Sequence, residues 1–227
     1  MASSTAIPPQ TILATSFIIQ PSDVQGNQIT YHFDTMPGNQ PNSYGNTVFL
    51  WQTSQQAVPI NTTPTSSQKV SANQPNGSNI FQNLTVSTES YLVAYAVGST
   101  VQNIVASVFI PATGGGTANP QSTQPVVQVT NIGSTSVSVS YGLPQGMQPQ
   151  SDGDWIGIWQ GGEALLYSVA PIQFSPLASN SNTGYSGMNL TNPLQRGFTY
   201  TVGYFKGGYA ATSPKQTTLA CCTTFST

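Results

Sequence analysis

Two all-β antiparallel sandwich domains in tandem, related by an internal duplication, are what this sequence predicts. Three observations predict them. Apolar and polar residues alternate with a period of two, Gly and Pro interrupt the chain at short intervals, and long stretches of the first half recur in order in the second. Alternation of that period puts every second side chain on one face of a strand. No segment carries the i, i+3, i+4, i+7 spacing of an amphipathic helix.

Taken along the chain, residues 1–14 read as a flexible lead containing Pro8 and Pro9. Residues 15–110 form the first sandwich, and Ile29, Tyr31 and Phe33 mark one of its half-buried strands. Residues 111–125 form a Gly/Pro/Thr linker in which Gly114-Gly115-Gly116 has neither the Lys nor the following helix of a phosphate-binding loop. Residues 126–227 form the second sandwich, with Val137, Val139 and Tyr141 in the place of the first strand.

The repeat is carried by particular residues. Segment 18–52 aligns with 126–160 without a gap, so that Gln20, Gly38, Gln40, Pro41, Gly45, Trp51 and Gln52 recur as Gln128, Gly146, Gln148, Pro149, Gly153, Trp159 and Gln160. Further on, Asn83-Leu84-Thr85 recurs as Asn189-Leu190-Thr191. The stretch from Tyr91 to Gly98 recurs from Tyr200 to Gly207, and Ile104–Phe109 corresponds to Ala220–Phe225. Segments 53–80 and 161–188 differ most and read as specialised loops.

Leu84 and Leu190, each followed by Tyr-x-Val-x-Tyr, resemble the Leu…Tyr-x-Val strand pair of fibronectin type III and immunoglobulin-like folds. That resemblance implies an immunoglobulin-like sandwich, with Tyr91 and Tyr200 as corner tyrosines whose hydroxyls bond nearby backbone. Asp154-Trp155-Ile156-Gly157-Ile158, after Tyr141-Gly-Leu-Pro, is similar to a strand of SKICH domains, which mediate targeting and protein–protein contacts. The first half departs from that pattern at Asn46-Thr47-Val48-Phe49-Leu50. The duplicated, charge-poor layout is also similar to that of a group of microbial proteins, a likeness that implies no activity.

Charged residues make up 4% of the chain, against about 25% of a typical soluble domain. Four cations (Lys69, Arg196, Lys206, Lys215) cannot make the phosphate-neutralising footprint of a nucleic-acid binder. They are equally too few to hold an anionic membrane. No stretch approaches the roughly twenty apolar residues of a membrane span, and Met1–Gln10 lacks the cationic and apolar regions of a Sec signal, which leaves localisation open. A nearly uncharged surface lacks repulsion, so self-association into homo-oligomers is expected. The sequons at Asn61, Asn76, Asn83 and Asn189 matter only in a secretory pathway, and such matches arise by chance in a chain this rich in Asn, Ser and Thr.

Chemistry is scarce. His32 and Asp34 share a strand face, but no Ser or Cys nucleophile in an elbow context accompanies them, and Ser140 and Gly142 replace them in the second half. Neighbouring Cys221 and Cys222 point to opposite faces of a strand, which predicts one buried and one exposed thiol and disfavours a disulfide between them. Asp152 and Asp154 fit turn chemistry better than a Ca²⁺ site, which needs about 6–8 oxygens.

One ledge stands out as a candidate ligand-binding site. It comprises Asp152, Asp154 and Trp155, with Tyr44 and Asn46 at the matching positions of the first half. Aromatic stacking beside planar hydrogen-bonding groups is how proteins hold sugars. The competing expectation for Trp155 is a core or interdomain residue. The expected function is non-catalytic recognition of a glycan or a protein surface by sandwich-end loops, with no cofactor and no metal. The alternatives are a self-assembling, inclusion-forming protein and a component of a secreted effector or toxin.

Overall fold

The computed structural model describes residues 7–227; residues 1–6 of the expected lead lie outside the described residues. In chain order the strands of the first half are β1 (Gln10–Ala14), β2 (Ser16–Ile18), β3 (Val24–Gln25) and β4 (Gln28–Asp34). After a single helical turn, α1 (Pro41–Tyr44), come β5 (Thr47–Gln52), β6 (Ser66–Lys69), β7 (Asn76–Gln82), β8 (Tyr91–Ala96) and β9 (Ile104–Ile110). The second half runs β10 (Gln121–Thr123), β11 (Val126–Ile132) and β12 (Ser136–Gly142), then α2 (Pro149–Asp152). It ends with β13 (Trp155–Gln160), β14 (Gln173–Pro176), β15 (Thr183–Asn189), β16 (Thr199–Phe205) and β17 (Leu219–Ser226). The fold is all-β, and the strand pairs of its sheets are antiparallel.

Two kinds of sheet are present. In the smaller ones β4 and β12 are central, flanked by β2, β3 and β7 and by β11 and β15. Their strands are buried on one face only: Ile29, Tyr31 and Phe33 point inward from β4, and Val137, Val139 and Tyr141 from β12. The larger sheets run β10-β9-β8-β5-β6 and β1-β17-β16-β13-β14. Every residue of β8 and β9, and Trp155–Trp159 of β13, is buried. Each fully buried Val, Leu, Ile or Phe contributes about 1.5–3 kcal/mol.

Both faces of the central strands β5, β8, β9 and β13 are buried, and the chain that follows β5 and β13 folds back over them. Trp51 Nε1 donates to Thr62 O at 3.0 Å, and Trp159 Nε1 donates to Val169 O at 2.7 Å. Segments 53–80 and 161–188 are therefore only partly loop. They hold β6, β7, β14 and β15 as well as these covers, whose indole acceptors have no sequence signature.

The expected lead and linker both contain strands. β1 pairs with β17, from Gln10 opposite Phe225 to Ala14 opposite Cys221. After one intervening residue, β2 pairs with β4 of the first half. Reciprocally, β10 pairs with β9 of the first half, and after Gln124 and Pro125 the chain enters the second half as β11. Each half thus donates a strand to the other's larger sheet.

Two glutamines pin the crossings. Gln10 accepts from Val129 N and donates to Val129 O, and Gln124 does the same with Phe17 (2.7–3.0 Å). Residues 10–14 and 121–123 carry no strand signal in sequence because edge strands are held mainly by backbone bonds. They bury too little to show an alternating pattern; Gln121, Ser122 and Thr123 are all exposed.

The covers reinforce the exchange. Val58 N donates to Gln145 O at 2.8 Å, and Val58 packs on Gly146, whose φ of +94° suits glycine. Tyr167 likewise packs on Gly38 and stacks on Tyr44.

Candidate functional site

The expected ledge does not form on the surface. Trp155, Asp154 and Asn46 are each 0% exposed, and the Asp152 side chain is 4% exposed. Tyr44 is half-buried against Tyr167. The Trp155 ring stacks on Phe205 with centroids 4.0 Å apart, in a cluster with Trp159, Leu166, Leu219 and Met36. Met36 comes from the first half, so the competing expectation for Trp155 describes its place.

Local sequence turns residues 46 and 154 inward. Gln-Pro opens a single helical turn, with Pro at the first helical position where its missing N–H costs nothing. Gly45 (φ 75°) and Gly153 (φ 74°) then close it in the left-handed region, which a Cβ disfavours. Asn46 N and Asp154 N each return 2.8 Å bonds to the turn's proline carbonyl. A second bracket is common to both turns: Asn73 clasps Ser43 and Asn180 clasps Ser151, each by one backbone and one side-chain bond.

What the turns deliver differs. In the first half Asn46 Oδ1 accepts from Tyr95 OH at 2.9 Å and from Asn39 Nδ2 at 2.8 Å. In the second half Asp154 Oδ2 accepts from Tyr204 OH at 2.7 Å and from Lys206 Nζ at 2.8 Å, while Oδ1 accepts from Gly207 N at 2.8 Å. Lys206 Nζ also donates to Asp152 Oδ2 at 3.1 Å. Lys206 is 0% exposed.

Burial pushes the Asp154 carboxyl up to about 6, against the opposing pull of Lys206, Tyr204 and the Gly207 N–H. Burial, reinforced by the Asp154 charge, drives the Tyr204 hydroxyl well above its ordinary value and keeps it a donor. Asp152 and Asp154 meet in the interior on Lys206, a residue outside the expected ledge. The signal for it is that Lys206 occupies the place of Val97 when Tyr91–Gly98 is aligned with Tyr200–Gly207.

A groove of about 510 Å³ lies between β13, β14 and the 190–195 loop. Gln160, Gln173, Asn192 and Gln195 ring it, and Ile172, Leu194 and Tyr200 supply apolar surface. No charged residue lines it. Tyr200 OH accepts from Gln195 N at 2.9 Å, and Tyr91 OH accepts from Thr85 N at 3.1 Å. A similar groove of about 440 Å³ opens in the first half between β6 and β7, beside Gln68, Gln82 and Asn83. Sequence reasoning missed these amides because Gln and Asn are everywhere in the chain.

The remaining candidates are quiet. His32 is exposed and lies 3.4 Å from Asp23, not paired with Asp34. Both Cys221 and Cys222 are buried, which corrects the expectation of one exposed thiol: Leu13 and the 161–172 cover close the second face of β17. Burial lifts the Cys222 thiol to about 12 and Cys221 well above its ordinary value. Among the described residues no cluster of His, Cys, Asp and Glu is arranged to hold a metal, and no helix is long and apolar enough to cross a membrane. No protein-family model matches the chain, and no curated protein matches it significantly.

Proposed function

We propose that the chain is a non-catalytic recognition protein whose second half holds an uncharged, hydroxyl-rich ligand, a glycan, in the groove beside the 190–195 loop. One observation carries this reading: this groove of about 510 Å³ is ringed by four carboxamides over apolar surface and has no charged lining residue. Carboxamides donate and accept in one plane, which suits vicinal hydroxyls, and the apolar floor suits the C–H face of a sugar ring. The smaller amide-bearing groove of the first half offers a second, weaker contact point.

A glycan array followed by calorimetry on the best ligand tests it. Gln173→Ala and Gln195→Ala are each expected to weaken binding about tenfold, the worth of roughly one well-placed hydrogen bond. Absence of any glycan ligand, or binding indifferent to both substitutions, sinks the reading.

A second reading, self-assembly, is favoured by the edge strands. β7 (Asn-Gly-Ser-Asn-Ile-Phe-Gln) and β15 (Thr-Gly-Tyr-Ser-Gly-Met-Asn) carry no charge and no proline, the usual guards against edge-to-edge pairing. Concentration-dependent growth in light scattering, abolished by Tyr185→Lys on the exposed face of β15, distinguishes it from the first.

A further inference from the structure

Of four cations in the chain, one is fully enclosed with two carboxylates on it. Lys206 Nζ touches Asp154 Oδ2 at 2.8 Å and Asp152 Oδ2 at 3.1 Å. The fold does not demand this arrangement, since the first half packs the same turn and the same tyrosine around Asn46 and Val97 with no charge at all. Enclosing an ion pair exacts a desolvation cost that the pair's attraction only partly offsets. Condensation to an amide removes both charges.

We propose that Lys206 and Asp154 are joined by an intramolecular isopeptide bond, formed inside the folded second half with Asp152 as proton carrier. The register brings the two together. Trp155 lies opposite Phe205 across β13 and β16, and Asp154 and Lys206 are the next positions on each strand. Contact in a fixed orientation supplies the entropy that a bimolecular condensation lacks, and exclusion of water protects the product from hydrolysis.

The steps balance. A proton passes from the Lys206 ammonium to Asp154 Oδ2, giving a neutral amine and a carboxylic acid. The amine lone pair then attacks Cγ, forming the N–C bond. Negative charge moves to Oδ1, where the Gly207 N–H already donates at 2.8 Å. Asp152 takes a proton from the now positive nitrogen and passes it to the Oδ2 hydroxyl. The Cγ–Oδ2 bond breaks, water leaves with the Tyr204 hydroxyl bonded to its oxygen, and Asp152 ends as the carboxylate it began as. The net change is one ammonium and one carboxylate converted to one amide and one water.

The experiment is proteolysis of the purified, folded protein followed by tandem mass spectrometry. The peptides carrying Asp154 and Lys206 are expected as one branched species, lighter than their sum by one water. Recovery of both as separate, unmodified peptides overturns the proposal. Asp152→Asn, with its fold checked by circular dichroism, is expected to yield the two peptides unlinked. A variant that links as completely and as fast as the parent overturns the role of Asp152. Asp154→Ala must yield no branched species, and its appearance there would show that the link is made elsewhere.

Discussion

At the entry to β5 the first half buries Asn46 against Tyr95 and Asn39; at the entry to β13 the second buries Asp154 against Tyr204 and Lys206. The backbone around both is the same, down to a left-handed glycine and a clasping asparagine. Asn46 is matched by Asp154, Val97 by Lys206, Tyr44 by Asp152 and Asn39 by Met147, so a carboxamide centre in one half stands where a lysine with two carboxylates stands in the other. A neutral hydrogen-bonded centre is therefore sufficient to hold this turn, and the charged centre is an addition. The grooves differ in a related way: the second half's carries more amide and more volume than the first's.

Breaking the charged centre should cost more than breaking the neutral one. Asp154→Ala strips the buried lysine of its nearest partner and removes the proposed link. Its expected cost is at least about 4 kcal/mol, since removing one member of a buried pair alone costs about 3–5. Asn46→Ala leaves neutral groups unsatisfied and is expected to cost about 1–3 kcal/mol. Urea denaturation of both variants measures the difference. Equal losses would mean that the two centres are energetically alike.

Asp152→Asn sharpens the comparison by leaving the pair in place but unlinked. Losing a link that closes the loop between residues 154 and 206 should lower stability by about 4 kcal/mol on loop-closure reckoning. The corresponding fall in Tm is roughly 10 °C. In that variant Asp154 still titrates, with a folded value of about 6 above its ordinary 3.8. The folded state then binds the proton more tightly than the unfolded state, so this group's contribution falls as pH rises from about 3.8 to 6 and grows as pH drops. The parent, with Asp154 consumed as an amide, should lack that slope. Stability measured at pH 4, 5, 6 and 7 for both proteins tests the difference.

The smallest effect is expected at His32, which is exposed and has no counterpart in the second half. His32→Ala should change stability by less than about 0.5 kcal/mol, as surface pairs of this kind contribute little. A larger loss in thermal melts would give the His32–Asp23 contact a structural weight that its exposure denies it.

Much of the sandwich was legible because burial on one face writes itself as alternation. Ile29, Tyr31 and Phe33 are buried, and so are Val137, Val139 and Tyr141. The exchanged strands were not, because backbone pairing at a sheet edge needs no particular side chains. At the candidate site, the change from Asn46 to Asp154 was visible, and so was the change from Val97 to Lys206. That the two changes belong together was hidden by the turn. Ser-Asp-Gly-Asp reads as a solvated bend, and only the left-handed Gly153 sends Asp154 into the interior. The groove was the least legible feature, since an amide that lines it is indistinguishable in sequence from one that merely faces water.

The strand exchange has a consequence in time. On the ribosome, β1 is made about two hundred residues before its partner β17 emerges. The first half, for its part, lacks its edge strand until residues 121–123 appear. Neither half can finish alone while the chain is being synthesised, and closure must wait for pairings of very large sequence separation, which form slowly. The same interlock means that a cut within 111–120 would not release two independent domains. Each fragment would still hold a strand of the other.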